Sequence, residues 1–204
     1  MSPSSATYLA ALPAPRSAND ADRIELADGR SVRLAPVRPQ DAPAERAFVG
    51  ALSLTSRYRR FHFGLRELSP EASRAMTEVD QHCHVAFVAR APGHTDIVAD
   101  ARYVVQADTG DAEFAVAVAD DWQGAGLGRA LLARLATHAR AHGVRRLFGD
   151  VLWGNPAMLA LVRSLGAELR RLPGDATVVR VEFVFSEESV DRVRSAPGAA
   201  VQAS

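Results

Sequence analysis

Near the start of the ordered pattern, apolar and polar residues alternate in two short runs, Ile24–Leu26 and Val32–Val37, with Asp28–Gly29 between them. That alternation around turn residues predicts two strands. Pro39 and Asp41 then open a helix expected to reach about Leu52. Beyond the segment Ser53–Phe63, Ser69-Pro70-Glu71 signals a second helix, with Ser69 as N-cap and Pro70 at the first helical position. Three apolar runs follow, His84–Ala91, Ile97–Gln106 and Ala112–Ala119, parted by Pro92–Gly93 and by Asp108-Thr109-Gly110. Both separators are turn chemistry, so the three runs predict an antiparallel meander. From Leu127 to Ala141 the spacing becomes helical, with Leu127, Leu131 and Leu135 on one stripe and Gly143 as the C-terminal stop. Arg145–Leu152 reads as a strand. Asn155–Pro156 opens a helix to about Leu165 that Gly166 closes, and strands near Ala167–Leu172 and Thr177–Phe185 complete the pattern. The order predicts an α/β (α+β) domain with a mixed, mostly antiparallel central sheet of about six to seven strands, flanked by about four helices.

Composition sharpens this picture. Of 204 residues, 48% are hydrophobic and 24% charged, which fits a soluble globular domain able to bury a sizeable core. Residues 1–22 are rich in Ser, Ala and Pro, and 187–204 mix charges with Pro, Gly and Ala, so both are expected to be flexible tails around a body at 23–186. Residues 1–22 lack a basic start followed by an apolar core, and no apolar run approaches the roughly 20 residues of a bilayer span. A single cysteine, Cys83, fits a reducing compartment, and the cytoplasm is the expected location.

The 24 acidic and 24 basic residues balance, and every basic residue is arginine. Without lysine there is no Walker-type phosphate loop and no Schiff-base catalyst. No net field favours nucleic acid or an anionic membrane, so neither is expected as a partner.

The most informative stretch runs from Glu113 through Gly124, Gly126 and Gly128 to Arg129, a strand entering a glycine-dense turn and then a helix. Such a turn exposes backbone N–H groups at a helix N-terminus, where they attract phosphate, and Arg129 adds a fixed cation. The dinucleotide fingerprint G-x-G-x-x-G fails, because its third glycine would fall on Arg129. Gln123-Gly-Ala-Gly126-Leu-Gly128 instead resembles the Q/R-x-x-G-x-G/A signature of the GCN5-related N-acetyltransferase (GNAT) superfamily. Asn155, followed by an eleven-residue step to Gly166 and Ala167, resembles that family's next motif. The resemblance spans roughly Val32 to Phe185 and implies a GNAT-like fold with acetyl-CoA as co-substrate. It implies that Val116 and Val118 offer backbone groups to the pantetheine arm, that Gln123, Gly124, Ala125, Gly126, Gly128 and Arg129 cradle the pyrophosphate, and that Asn155 bonds the pantetheine or its loop. Asn155 before Pro156 also reads as an ordinary N-cap.

Acetyl transfer to an amine requires the neutral amine, and a carboxylate facing the cleft can take up its proton. Strand alternation puts Glu113 on one face with Ala115 and Ala117, opposite Phe114, Val116 and Val118, which makes Glu113 the candidate base. The segments around Glu113 and Ser53–Phe61 resemble the Pat-like protein-lysine acetyltransferase branch, in which a glutamate on this strand serves as base. Where many family members carry a tyrosine acid seven residues after the asparagine, this chain has Val162. Because a thiol pKa is only about 8.5, thiolate departure does not strictly need that acid. Tyr58, Tyr103 or a water are the substitutes. Direct transfer from acetyl-CoA to a primary amine is therefore expected, the acceptor being a protein lysine or a small molecule, in a monomer or homodimer. A non-catalytic acyl-CoA-binding sensor or regulatory module is the alternative.

Other clusters read as structural. Arg57, Arg59 and Arg60 with Tyr58, Phe61 and Phe63 read as an acceptor-site wall or an RNA-contacting patch, or else as a helix end whose arginine stems cover apolar surface while the aromatics enter the core, and the helix end is expected. His82 and His84 flank Cys83, but two ligands make no metal site and none is expected. Cys83, just before a buried strand, is expected to behave as a small hydrophobe.

Overall fold

Turn and cap residues place the element boundaries in the computed structural model of the chain, which describes residues 23–185. The expected tails lie outside the described residues. The strands are β1 (Arg23–Glu25), β2 (Ser31–Pro36), β3 (His84–Arg90), β4 (Ile97–Val105), β5 (Ala112–Val118), β6 (Arg146–Leu152), β7 (Glu168–Leu172) and β8 (Asp175–Val184). The helices are α1 (Ala42–Ala51), α2 (Leu54–Phe61), α3 (Pro70–Thr77), α4 (Leu127–Ala141) and α5 (Pro156–Ser164). Ser69 caps α3 as expected, accepting from the Ala72 N–H at 3.1 Å. Gly143 turns the chain at the end of α4 with φ +81°.

One eight-stranded sheet runs in the order β1-β2-β3-β4-β5-β6-β8-β7. Every pairing is antiparallel except β5 with β6. The sheet thus exceeds the expected strand count by one, and five α-helices replace the expected four. The additional helix is α2. Its sequence, LTSRYRRF, has too few apolar positions to mark a stripe. What starts it is local: the Ser53 hydroxyl accepts from the Ser56 N–H at 3.2 Å.

Both sheet faces are covered, so β3 is apolar on both sides. Val85 and Ala89 face the α4 side, while Ala86 and Val88 face α1 and α3. The core on the α4–α5 side holds Tyr103, Phe114, Leu132, Leu135, Val162 and Phe183, and the other core gathers Phe48, Val49, Leu52 and Leu68.

β4 breaks this apolar rule. Asp100 and Arg102 point to the α1–α3 face and are almost fully buried, beneath the equally buried Glu45 of α1. Arg102 grips Asp100 through Nε to Oδ1 at 3.0 Å and Nη2 to Oδ2 at 2.6 Å, donates from Nη1 to the Met76 carbonyl at 2.9 Å, and reaches Glu45 Oε1 at 3.4 Å. Asp100 takes the stronger share of Arg102. Burial first, and the Asp100 charge second, push the Glu45 carboxyl up to about 8, against the pull of Arg102 and Arg60. A carboxyl raised on folding contributes stability below its unfolded pKa, and that contribution is lost as pH rises toward 8. Glu45→Gln, which removes this titration, is therefore expected to gain stability relative to the parent as pH rises from about 5 to 9. Thermal midpoints of the two proteins across that range measure the gap; a constant gap contradicts the assignment.

Candidate active site

β5 pairs with β6 through two residue pairs, Ala112 with Leu147 and Glu113 with Phe148. Beyond them β6 continues along β8 to Leu152 and β5 continues along β4 to Val118, so the sheet forks. Hydrogen bonds at the two ends of the β4–β5 ladder, from Gln106 N–H to the Asp111 carbonyl at 2.7 Å and from Ala119 N–H to the Val98 carbonyl at 2.9 Å, set its phase. Bonded and non-bonded pairs alternate along an antiparallel ladder. The backbone groups of Ala115 and Ala117 therefore serve β4, and those of Val116 and Val118 point into the fork. At the root of the fork stands Gly149, where a Cβ would lie 3.0 Å from both the Phe114 carbonyl oxygen and its ring.

The fork opens a cleft of about 620 Å³ that passes from the α4–α5 side of the sheet to the α2 side. Of the residues nominated from the sequence, Glu113, Val116, Val118, Gln123, Gly124, Gly126, Gly128, Arg129 and Asn155 line it. Ala125 does not: its side chain is buried with Leu26 and Val32, and its carbonyl accepts from the Ala27 N–H at 3.1 Å. Gly124 and Gly126 have φ of +78° and +92°, a conformation that costs any other L-residue about 1–2 kcal/mol. Gly128 is helical and lets Leu161 of α5 come near. α4 begins at Gly126 without a side-chain cap and without an acidic residue in its first turn, leaving its leading N–H groups and positive dipole end open to an anion.

Several nominated side chains are already engaged. Gln123 Nε2 donates to the Val118 carbonyl at 3.0 Å and to the Ser56 hydroxyl at 3.2 Å, tying the glycine turn to α2. The Arg129 guanidinium bonds the Ser164 hydroxyl and carbonyl at the end of α5. Asn155 Oδ1 caps α5 by accepting from the Met158 N–H at 3.2 Å. Val162 and Tyr103 are fully buried in the same α4–α5-side core, the Tyr103 hydroxyl against His138 Nδ1 at 3.1 Å. Neither Tyr103 nor Tyr58 lines the cleft.

The Arg-rich segment is corrected in detail. Tyr58 and Phe63 are exposed, contrary to the expected burial of all its aromatics, while Arg57 donates to the Arg66 carbonyl. Cys83 is exposed and so is not the buried hydrophobe expected. Instead of a partner for His82, the ring of His84 faces Arg102 Nη1 at 3.4 Å. Among the described residues no group of three His, Cys, Asp or Glu could hold a metal, and no helix is long and apolar enough to cross a membrane.

The fold also brings in residues that sequence reasoning missed. Asp120 joins the β5–α4 connection to the start of α2, accepting from the Ser53 N–H, the Ser53 hydroxyl and the Ser56 hydroxyl, each at 2.8 Å. Partial burial raises its pKa, but these bonds outweigh that and hold the carboxyl below the usual range. Asp150 of β6 lines the cleft with both oxygens held by Arg180, at 2.8 and 2.9 Å. Glu113, by contrast, has no hydrogen bond or ion pair among the described residues.

A mixed sheet forked between parallel strands, with an uncapped glycine-led helix at the fork, is the architecture of a class of acyl-transferring enzymes that bind a nucleotide-bearing thioester. The chain belongs to the acetyltransferase (GNAT) family, whose model matches residues 51–167. It is 36% identical over 156 residues to acetyltransferase PA5475 of Pseudomonas aeruginosa, covering 76% of this chain and 84% of that protein. Acetyltransferase Pat of Mycolicibacterium smegmatis is 31% identical over 189 residues, covering 88% of this chain and 56% of Pat. The crystal structure of the GNAT domain of S. lividans PAT superposes with a TM-score of 0.74 at 31% identity, covering 80% of this chain and 96% of that one.

Two substitutions probe this geometry. Gly149→Ala drives a methyl against backbone at the root of the fork and is expected to cost about 1–3 kcal/mol in urea unfolding, while weakening stabilisation by acetyl-CoA. Asp120→Ala is expected to lower the melting temperature at pH 7. Because the Asp120 pKa is depressed, that deficit should shrink as pH falls below the ordinary carboxylate range, and a deficit unchanged at pH 3 contradicts the assignment.

Proposed function

We propose that this protein transfers an acetyl group directly from acetyl-CoA to a primary amine, with Glu113 as general base. The observation that carries the reading is the fork. It turns the Val116 and Val118 backbone groups, the open start of α4 and an unengaged carboxylate into one cleft. The residues fit the co-substrate: orphan N–H groups at Leu127 and Gly128 suit the pyrophosphate, and the edge of β5 suits the amide-bearing pantetheine arm. Acetyl-CoA supplies a thioester carbonyl that is open to attack.

In the step itself the ammonium first yields its proton toward Glu113, directly or through water. The freed nitrogen bonds to the acetyl carbon, the carbon–sulfur bond breaks, the thiolate leaves, and the nitrogen sheds its second proton, which water carries to the thiolate. The Val118 N–H, facing the fork, meets the negative charge that develops on the thioester oxygen. Its carbonyl cannot interfere, since Gln123 holds it. Glu113 is preferred over Asp150 as the base because Arg180 occupies both Asp150 oxygens. No tyrosine lines the cleft to protonate the thiolate, so water takes that role. The resemblance to the Pat-like branch supports a protein lysine as acceptor.

Glu113→Gln is expected to bind acetyl-CoA as the parent does and to lower turnover by about 10²–10⁴-fold at neutral pH, read by thiol release. Acetyl-CoA stabilisation without thiol release from the parent, across a panel of amines and lysine-bearing proteins, would instead make this a non-catalytic acyl-CoA-binding module.

A further inference from the structure

A guanidinium carries five N–H donors and is rarely buried without hydrogen bonds. Arg60 of α2 is half-buried and lines the cleft. Its side chain is 14% exposed, and among the described residues it makes no hydrogen bond. Its nearest carboxylate, Asp100, lies 3.9 Å away, and both Asp100 oxygens already accept from Arg102. The remaining contact is the face of Phe61, 4.8 Å from the guanidinium carbon. Arg60 opens onto the cleft on the Glu113 side of the sheet. Burial lowers its pKa, while Asp100 and, more weakly, Glu113 raise it, and an arginine stays charged under such opposing shifts. This end of the cleft thus presents, among the described residues, a cation without a hydrogen-bonded anion and a carboxylate, Glu113, without a hydrogen bond or close ion pair, although the Arg60 and Arg180 charges both act on it. The other acids nearby are engaged, Asp150 by Arg180 and Asp120 by Ser53 and Ser56.

We infer that Arg60 binds the carboxylate of the acceptor, and that the acceptor is a free amino acid whose ammonium faces Glu113. The inference rests on the acetyl-transfer reading above and favours a small-molecule acceptor over the protein lysine that the Pat-like resemblance supports. A zwitterion meets both charges at once. A protein lysine that brings its Nε to Glu113 places its methylene chain where this ligand carries its carboxylate, so it would leave the Arg60 donors without hydrogen bonds. Guanidinium and carboxylate match in a planar, two-bond geometry, which makes the contact selective for carboxylate over a neutral carbonyl.

The test compares free amino acids with their C-terminal amides, which keep the amine and remove the charge, and with lysine-containing peptides, all assayed by thiol release from acetyl-CoA. The acids are expected to exceed their amides in kcat/KM by roughly 10- to 100-fold, mainly through KM. The amine of the amide is the weaker base, so the bias of intrinsic reactivity runs against this result. Arg60→Met is expected to erase the difference between acid and amide. Should that variant fail to fold, the ratio measured on the parent protein decides alone. Equal use of acids and amides, or peptides used better than free amino acids, overturns the Arg60 assignment and leaves acetyl transfer standing. Thiol release from no acceptor at all overturns both.

Discussion

The structure depends on a backbone constraint: β5 must be held firmly on one side and released on the other. A strand inside a sheet normally satisfies its N–H and C=O groups on both edges, and a buried group left without a partner costs about 1–3 kcal/mol. β5 avoids strain by staying paired to β4 along its whole length while β6 leaves after Glu113 and Phe148. The abandoned edge is then lined with cleft instead of core. That edge is polar in an apolar setting, and its N–H and C=O groups at Val116 and Val118 face the cleft. Gly149 keeps the root of the fork tight enough for the divergence to begin there.

Holding the fork open requires stiffness on both sides. On the α4 side this comes from packing, since Gly128 lets Leu161 approach, and from the hydrogen bonds by which Arg129 clasps the end of α5. On the α2 side it comes from polar contacts, since α2 buries no residue fully. Asp120 and Gln123 bind its first turn to the connection after β5, and Arg60 settles over the buried Asp100–Arg102 pair. A buried ion cluster is a poor way to gain stability, because desolvation takes back most of the Coulomb attraction. What it provides here is a fixed charged layer beneath Arg60, which lines the cleft, and the elevated Glu45 pKa is one consequence of placing two carboxyl groups together out of water.

Much of this was legible beforehand because the relevant signals are local. Ser69-Pro70, Gly143 and the Leu127–Leu131–Leu135 stripe each act within a turn or two of the chain, and their elements fall where the pattern placed them. The glycine turn was legible for the same reason, since φ of +78° and +92° at Gly124 and Gly126 is a demand that a sequence answers with glycine. Helix α2 was legible only as a helix end: its Ser53 cap is local, but it has too few apolar positions to mark a stripe, and its partner Asp120 is about 64 to 67 positions away. The burial expected for Phe63 and Cys83 failed for a related reason. Whether an apolar residue at the end of an element is covered depends on what the rest of the chain lays over it.

The sequence by itself determined the element order, the mixed sheet, the glycine-led start of α4 and the face on which Glu113 stands. Each follows from dihedral preference, capping or side-chain periodicity, which operate over a few residues. Only the tertiary structure decided that β6 leaves β5 after two residue pairs, that Asp150 is occupied by Arg180 while Glu113 has no ion pair, and that Arg60, half-buried, lines the cleft without a hydrogen bond among the described residues. Those outcomes turn on distances between groups from different elements, and desolvation and Coulomb energies change steeply over an ångström or two. No periodicity along a single chain encodes such distances.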